Sequence, residues 1–478
     1  MTRLMNKLVL VALLAGMESR ASAFSLLGQF DTWQVTALGY NLPSDIGGPM
    51  APPEAYRWNV PIINYAFDQS FITYFGTNGM AEVDKAVKIF NDLPAFSSIT
   101  NDGSSLFING EPVPADVKGP ANLGANVAGA LDLKSWAMTM LIEELGLAEP
   151  ERWVWSLRSR MVETIAGETF TNYSVVMFNY DPITLRPSSY VNGVRYGFII
   201  DEPLTPPINY ADALDFPSDG VNPYPYSAVA SQFIAPGDYY IGLSHDDVGG
   251  LRYLYNGNRL VTEQLLANVT GGVAGRGVGS PWRGFIGITN TAILTNIFVV
   301  TNATGTNLIR TGLRPGINKL QFRRSNFDSL IGNFFLPITN QYTDTVISNS
   351  RPVLQNVRRV VTVPDVLFTC EDLGLYADNL TPVFWRRTAT TGWQNNDALN
   401  GVVGQPGPGV ITPTVTISFS NRLPFILVTN PGASGNDDSL NSGVWGSFDE
   451  NSEEAILYPD YLGLTLRDLQ QQALRGGP

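Results

Sequence analysis

The chain has 478 residues, of which 44% are hydrophobic, and a formal net charge of −13 at neutral pH. An acidic chain without a basic stripe repels phosphate groups, so nucleic acid and anionic membranes are not expected as partners. His245 is the single histidine and Cys370 the single cysteine, which excludes an intramolecular disulfide. The length predicts two or three domains with a large core.

The first 23 residues have the pattern of a secretory signal peptide. Arg3 and Lys7 provide a basic start, residues 8–16 form a short apolar run, and an A-x-A cleavage site ends at Ala23. This apolar run is too short to span a bilayer, and no later stretch approaches the roughly 18 apolar residues that a membrane helix needs. We therefore expect a protein that is secreted or held at the cell surface, with no membrane span.

Helical and strand patterns alternate in the first half of the chain. Ile63, Tyr65 and Phe67 alternate with smaller or polar residues, which predicts a half-buried strand. A turn at residues 76–79 is predicted to precede a helix that stops before Pro94. The first half therefore combines both kinds of element.

The clearest helix is predicted from Leu133 to Leu145, where apolar residues recur at i, i+3, i+4, i+7 and i+8. Gly146 follows in the place of a left-handed C-cap residue, and Pro150 prevents continuation. Ser244 is predicted to cap another helix, because a carboxylate stands three residues later in the sequence. These two helices carry most of the arguments about function.

Residues 157–240 are rich in tyrosine, proline and asparagine, with strands predicted at Ser174–Asn179 and Gly193–Ile200. From residue 258 onward, short alternating runs such as 415–419 are separated by proline and glycine turns. This pattern predicts an all-β, β-sandwich-like region over 258–478, made of one or two modules. A short helix around Leu464–Leu474 is predicted to close it.

Three blocks of sequence carry a family resemblance. The first is a W-x-x-P-x-x-x-Y-x-F run starting at Trp58, followed by V-D-K-A-x-x-x-F; the second is Asp132–Glu149; the third is Leu243–Tyr255. In this order they resemble the matrixin-like branch of the metzincin metallopeptidases. The resemblance implies an α+β metzincin-like domain over 24–257, with a long insertion around 157–240. It also implies a five-stranded sheet, an active-site helix, a C-terminal helix and peptide hydrolysis by zinc-bound water.

The residues at the family's zinc-site positions differ from the metzincin pattern H-E-x-x-H-x-x-G-x-x-H. The ligand positions are Thr139, Glu143 and Glu149, the position of the general base is Met140, and Gly146 falls on the glycine. One threonine and two glutamates cannot reproduce imidazole coordination, and methionine cannot accept the proton of a zinc-bound water. We therefore expect an inactive metallopeptidase-like protein with no catalytic residue, no cofactor and no metal.

Two interpretations of the helical glutamates remain open. Glu143 and Glu149 could bind a hard cation such as calcium through oxygen. Alternatively, Glu143 and Glu144 would lie on the solvated side of an amphipathic helix, paired with arginines nearby. Solvated helix carboxylates are the commoner case.

The sequence favours a secreted, non-catalytic structural or adhesive protein whose partner is itself or an extracellular surface. Two alternatives are a secreted hydrolase that uses carboxylates without zinc, and a pseudo-peptidase that binds peptides without cutting them. An empty cleft beside Thr139 and Glu143 would favour the pseudo-peptidase. A cleft filled by part of residues 157–240 would oppose it.

Overall fold

A computed structural model describes most of the chain. The described residues are 23–28, 48–49, 51–52, 55–202, 212–218, 228–231, 234–272, 298–301, 307–328, 334–348, 350–371, 385–389, 394–395, 409–421, 444–449, 455–468 and 471. The predicted signal segment lies outside them, except for Ala23. Much of the predicted C-terminal helix also lies outside them.

Four α-helices lie in this described part of the chain: α1 Gln69–Asp92, α2 Leu123–Val127, α3 Leu133–Glu144 and α4 His245–Tyr255. Short 3-10 helices occupy Phe96–Ser98, Val229–Ser231 and Asp460–Leu462. Among the residues described, no helix combines the length and apolar character needed to cross a membrane.

The strands are short and numerous, and they form several separate sheets, as expected for a β-rich C-terminal region. The first fourteen, up to the start of α4, are β1 Phe24–Gly28, β2 Gly48–Pro49, β3 Ile62–Phe67, β4 Thr100–Asn101, β5 Leu106–Ile108, β6 Glu111–Pro112, β7 Ala130–Asp132, β8 Leu147–Ala148, β9 Ser156–Ile165, β10 Glu168–Val176, β11 Asn179–Tyr180, β12 Tyr190–Val191, β13 Val194–Asp201 and β14 Asp212–Pro217. The remainder are β15 Val261–Gln264, β16 Val269–Gly272, β17 Phe298–Thr301, β18 Asn307–Arg314, β19 Gln321–Arg324, β20 Phe327–Asp328, β21 Phe334–Phe335, β22 Ile338–Ser348, β23 Arg351–Val361, β24 Val366–Glu371, β25 Trp385–Ala389, β26 Gln394–Asn395, β27 Gly409–Val410, β28 Val415–Ser420, β29 Val444–Ser447, β30 Ile456–Leu457 and β31 Leu464–Thr465.

A five-stranded sheet in the order β19-β3-β24-β28-β25 joins the two halves of the chain. Its first four strands are mutually parallel and β25 is antiparallel at one edge. β3 comes from the predicted N-terminal domain, whereas the other four strands follow residue 257. The regions predicted as 24–257 and 258–478 therefore share one sheet, and one hydrophobic core contains residues from both.

β3 is buried along its whole length, so the prediction of a half-buried strand is wrong. Both of its neighbours are parallel strands from the second half of the chain, which covers both edges. Asn64 is tolerated inside because its side-chain amide donates to the Asp365 carboxylate at 3.3 Å, and its backbone N–H donates to the same carboxylate at 2.8 Å. Asp365 is paired in turn with Arg359, and both side chains are fully buried. This ion pair supplies the compensating charge that a buried carboxylate requires.

The antiparallel strands form a second large sheet in the order β15-β18-β22-β23-β16, with β17 paired to β18. β22 and β23 are its longest pair, aligned from Ile338↔Val361 to Ser348↔Arg351. A third sheet, β31-β30-β29-β7, joins the C-terminal residues to the strand that precedes α3. The C-terminal part of the chain therefore packs beside α3.

α1 begins earlier than predicted, at Gln69, because Asp68 caps it by accepting a hydrogen bond from the Phe71 N–H at 2.9 Å. The predicted turn at 76–79 is a kink inside this helix, where Gly76 has a φ of 60°. The helix ends at Asp92, which confirms the predicted stop before Pro94. Phe75 on α1 packs against Phe419 with ring centroids 5.5 Å apart, which ties the helix to the five-stranded sheet.

Gly146 ends α3, as predicted, with a φ of 105° and its N–H donating to the Glu143 carbonyl at 2.7 Å. A Cβ at this position would lie 2.5 Å from the Tyr56 carbonyl oxygen. We expect Gly146→Ala to lower the free energy of unfolding by more than about 2 kcal/mol, because left-handed strain and steric overlap add. Urea denaturation measures this loss.

Gly110→Ala is the matched control for that prediction. Gly110 also has a positive φ, 86°, but no heavy atom lies within 4 Å of the added Cβ. Gly110→Ala should lower the free energy of unfolding by only about 1 kcal/mol, which is the cost of the left-handed backbone conformation alone. Equal losses for the two variants would contradict a close approach of Tyr56 to Gly146.

Candidate functional site

α3 contains Thr139, Met140 and Glu143, three of the four positions that the family resemblance assigns to the zinc site. Its start is fixed by Asp132, whose carboxylate accepts a hydrogen bond from the Ser135 N–H at 2.9 Å. The Ser135 hydroxyl oxygen accepts in turn from the Tyr240 N–H at 2.8 Å. At its end, the Trp58 ring N–H donates to the Glu144 carbonyl at 2.8 Å. The helix is therefore held at both ends by residues that are distant in the sequence.

The zinc-site positions on α3 are closed to solvent. Thr139 and Met140 are 0% exposed and Glu143 is 4% exposed. Every residue of this helix except Lys134 is buried. The interpretation that Glu143 and Glu144 lie on a solvated face is therefore wrong, because α3 packs on several sides.

The neighbours of α3 explain this closure. α1, strands β8 and β29 and the 3-10 helix Val229–Ser231 all contact it. The 3-10 helix belongs to the predicted insertion, residues 157–240. Part of that insertion therefore lies against the helix that would border a peptidase cleft.

The four positions do not form a metal site that suits zinc. Glu149 follows β8 and is half-buried, outside the helix that carries Thr139, Met140 and Glu143. Within the described ranges, no group of three or more histidine, cysteine, aspartate or glutamate side chains is arranged to hold a metal ion. The Thr139 hydroxyl oxygen is buried with no hydrogen-bond partner among those residues. The buried environment of Thr139 suits side-chain packing better than the coordination of a zinc ion.

Asp247 fastens α4 to the insertion. Ser244 and Asp247 form the predicted capping box, and Asp247 also accepts hydrogen bonds from the N–H groups of Val229 at 2.9 Å and Ala230 at 3.0 Å. Burial raises the pKa of Asp247 to about 6 despite these donors. This carboxylate therefore holds the 3-10 helix in place beside α3.

His245 and Asp246 form the buried start of α4. The His245 Nδ1 atom lies 3.4 Å from the Asp246 carboxylate, and the His245 N–H donates to the Pro114 carbonyl at 2.8 Å. The Asp246 carboxylate also accepts from the Ala23 N–H at 3.1 Å. These contacts place the single histidine in helix-end packing.

Glu151 is an acid with a strongly raised pKa near this helix start. Its side chain is half-buried, but the Oε2 oxygen is enclosed and has no hydrogen-bond partner among the described residues. The Oε1 oxygen accepts a hydrogen bond from the Ser231 hydroxyl at 2.5 Å. Burial, with a smaller contribution from Glu149 and Asp246, raises the pKa of Glu151 to about 8.

The raised pKa of Glu151 predicts a loss of stability as the pH rises from about 5 to 8. In this window the folded state keeps a proton that the unfolded state, with an ordinary pKa of 4.5, has released. The contribution of Glu151 is therefore complete below pH 4.5 and is lost as the pH approaches 8. Glu151 alone changes the free energy of unfolding by at most about 1.4 kcal/mol per pH unit in this window.

Glu151→Gln should remove this slope, because the amide keeps the shape of the side chain and does not ionise. Urea denaturation of the wild type and the variant at pH 5, 6, 7 and 8 measures the difference. Glu168→Gln, at an exposed position, is the control and should run parallel to the wild type. Parallel curves for Glu151→Gln as well would show that Glu151 ionises normally.

A cavity of about 300 Å³ lies beside the start of α3, at Lys134. Its lining includes Glu82, Lys85, Lys134 and Asp449, so acidic and basic groups are mixed. Lys85 is bonded to Glu82 at 2.6 Å. Glu151, whose pKa is strongly raised, is not among the residues that line this cavity.

Two exposed β-ribbons lie in the predicted insertion, and the sequence patterns predict them only in part. β9 and β10 form one, and β13 and β14, which share a three-stranded sheet with β12, form the other. The strand prediction at Ser174–Asn179 caught the end of β10 but missed β9. The β-branched residues Val162, Thr164 and Ile165, which favour a strand, were the available signal.

Comparisons with family models, with curated proteins and with solved structures gave no match to this chain.

Proposed function

We propose that the chain is a secreted, non-catalytic structural or adhesive protein, built on a metzincin-like N-terminal domain and acting through contact with other copies or an extracellular surface. The observation that carries the non-catalytic part is the closure of α3. Thr139, Met140 and Glu143 are buried, so neither a metal-bound water nor a peptide would reach them. Secretion rests on the signal-like first 23 residues.

The contacts of Val229–Ser231 with α3 weigh against a peptide-binding pseudo-peptidase. Such a protein needs an open groove beside the former active-site helix to hold a substrate. Here that flank carries the 3-10 helix, which Asp247 fastens in place. Peptide capture at this position would require the 3-10 helix to leave.

The exposed apolar side chains of the two ribbons support a role in binding other copies of the chain or an extracellular surface. On β13–β14, Ile199 lies opposite Leu214 and Gly197 opposite Phe216, and the three large side chains are 41–56% exposed on one face. On β9–β10, Met161 and Phe170 are about half exposed. Contiguous exposed apolar surface of this kind typically marks an interaction site.

Sedimentation velocity over a concentration series tests this function, together with a protease assay on casein with added zinc. We expect a mass that grows with concentration, no hydrolysis and no stoichiometric zinc in the purified protein. A chain that stayed monomeric and bound no extracellular material would sink the proposal, as would zinc-dependent cleavage.

Two matched substitutions locate the contact surface. Phe170→Ser on β10 should weaken assembly, because it removes an exposed apolar side chain from the ribbon. Leu123→Ser on α2 removes an even more exposed side chain at a site outside the ribbons and should leave the mass unchanged. Equal effects would indicate nonspecific association.

A further inference from the structure

The β9–β10 ribbon is a long two-stranded hairpin. Its register runs from Glu168↔Ile165 to Val176↔Ser156, and the two-residue turn Ala166-Gly167 has φ values of 53° and 88°. Such a turn, with both residues left-handed, matches the twist of a hairpin. Among the described residues β10 pairs only with β9, whereas β9 also contacts β14. β10 is therefore the outer strand.

A two-stranded ribbon is at best marginally stable in water, because too little apolar surface is covered. Residues 161–170, which include the turn, are all exposed. Met161, Ile165 and Phe170 lie on one face, and Val162 and Tyr173 lie on the other, as the register requires. Among the described residues no strand pairs with the outer edge of β10. A strand added there would satisfy its backbone groups and pack against the apolar side chains beside it.

The composition of β10 does not protect its edge. Natural edge strands commonly carry lysine or proline, which blocks pairing with other chains. β10 reads E-T-F-T-N-Y-S-V-V and contains no lysine, arginine, proline or glycine. Its β-branched and aromatic residues favour a strand.

The charge of β10 suits a second copy of the same chain. The protein carries a net charge of −13, so two copies repel each other over most of their surfaces. In β10 the single charge is Glu168, at the turn end of the strand. When two copies of β10 run antiparallel, their Glu168 carboxylates lie at opposite ends, roughly 27 Å apart at 3.4 Å per residue. No like charges face each other.

We propose that β10 pairs antiparallel with β10 of a second copy, on a two-fold axis at Asn172, to form a continuous sheet β9-β10-β10-β9 across the interface. This inference rests on the proposed function. It names β10 as the strand through which two copies assemble and specifies which residues of the two strands lie opposite each other. Asn172 is the middle residue of β10, so this axis aligns all nine residues. Phe170 then lies opposite Ser174 of the other copy, and Thr171 opposite Tyr173.

Disulfide cross-linking tests the register directly. Residues directly opposite in an antiparallel pair have Cα atoms about 4.5–5.5 Å apart, within the range of a disulfide. Asn172→Cys should therefore give a covalent dimer as the main product of mild oxidation. Thr164→Cys, at an exposed position on β9, should give at least tenfold less, and Cys370 is buried and should add little background. The host must lack N-glycosylation, because Asn172-Tyr173-Ser174 is an acceptor sequence.

A charge exchange at Asn172 provides the second test. Asn172→Lys or Asn172→Asp alone places two like charges opposite each other and should weaken self-association roughly tenfold. An equal mixture of the two variants should restore the association, because opposite charges then meet on the axis. Circular dichroism of each variant confirms that the monomer remains folded.

The outcomes separate this inference from the proposed function. If the wild type assembles but Asn172→Cys fails to cross-link and the charge variants assemble normally, the register is wrong and the assembly function stands. A wild type that is monomeric at every concentration overturns both. A monomer with β10 amides protected from hydrogen exchange would show that the chain covers its own edge.

Discussion

Replacing Arg359 with alanine is expected to destabilise the protein by about 3–5 kcal/mol, because it leaves the buried Asp365 carboxylate without its counter-charge. The Arg359 Nη1 atom donates to the Asp365 carboxylate at 3.0 Å, a second bond joins Nη2 to the other oxygen, and both side chains are 0% exposed. Asp365 also accepts from the Asn64 N–H on β3. Loss of the guanidinium therefore also disturbs β3, the second strand of the five-stranded sheet.

Urea denaturation measures this effect, with Arg358→Ala as the control. Arg358 is the preceding residue on β23 and is exposed, so its loss should cost less than about 0.5 kcal/mol. The double variant Arg359→Met/Asp365→Asn should recover part of the stability, because no buried charge remains without a partner. A loss below about 1 kcal/mol for Arg359→Ala would mean that water reaches Asp365.

Met140→Glu, which introduces the glutamate of the metzincin pattern at this position, is expected to cost at least about 3 kcal/mol and to produce no peptidase activity. Met140 is 0% exposed inside α3, so the new carboxyl group would enter the packed interior without an arranged partner. In a working metallopeptidase the same glutamate faces the substrate and water. Because α3 is buried, we expect a glutamate at position 140 to lower the stability of the protein without giving it activity.

Met140→Leu is the matched control, since it conserves volume and polarity and should cost less than about 1.5 kcal/mol. The free energy of unfolding and casein hydrolysis with added zinc are the measurements for both variants. A Met140→Glu protein as stable as the wild type would show that position 140 faces solvent. The argument for a closed, non-catalytic helix would then fail.

Local signals predicted the helix ends that carry a recognisable cap. The start of α4 and the end of α3 agree with the structure because Ser244 and Gly146 act within a few residues. The kink at Gly76 was read as a turn, since a glycine pair in the sequence does not show whether the helix resumes on both sides. A helix end can be predicted from the sequence when the contact that fixes it joins residues close together in the chain.

The burial of these elements could not be predicted in the same way. β3 alternates like an amphipathic strand, yet parallel neighbours from the second half of the chain cover it. α3 has an apolar stripe, yet its polar side also packs, so Glu143 and Glu144 are buried. Buried ion pairs such as Arg359–Asp365 join distant residues, and no spacing in the sequence marks them.

The arrangement of the five-stranded sheet has a consequence for how the chain reaches its native state. β3 is one of the earliest strands to emerge, yet Asn64 and its partner Asp365 are 301 residues apart. Contacts of such long sequence separation are slow to form, because loop closure costs entropy before any pairing is gained. β3 therefore has neither of its neighbours until β19 and β24 have been synthesised. The parallel part of the sheet is expected to form late in folding, when most of the chain is present.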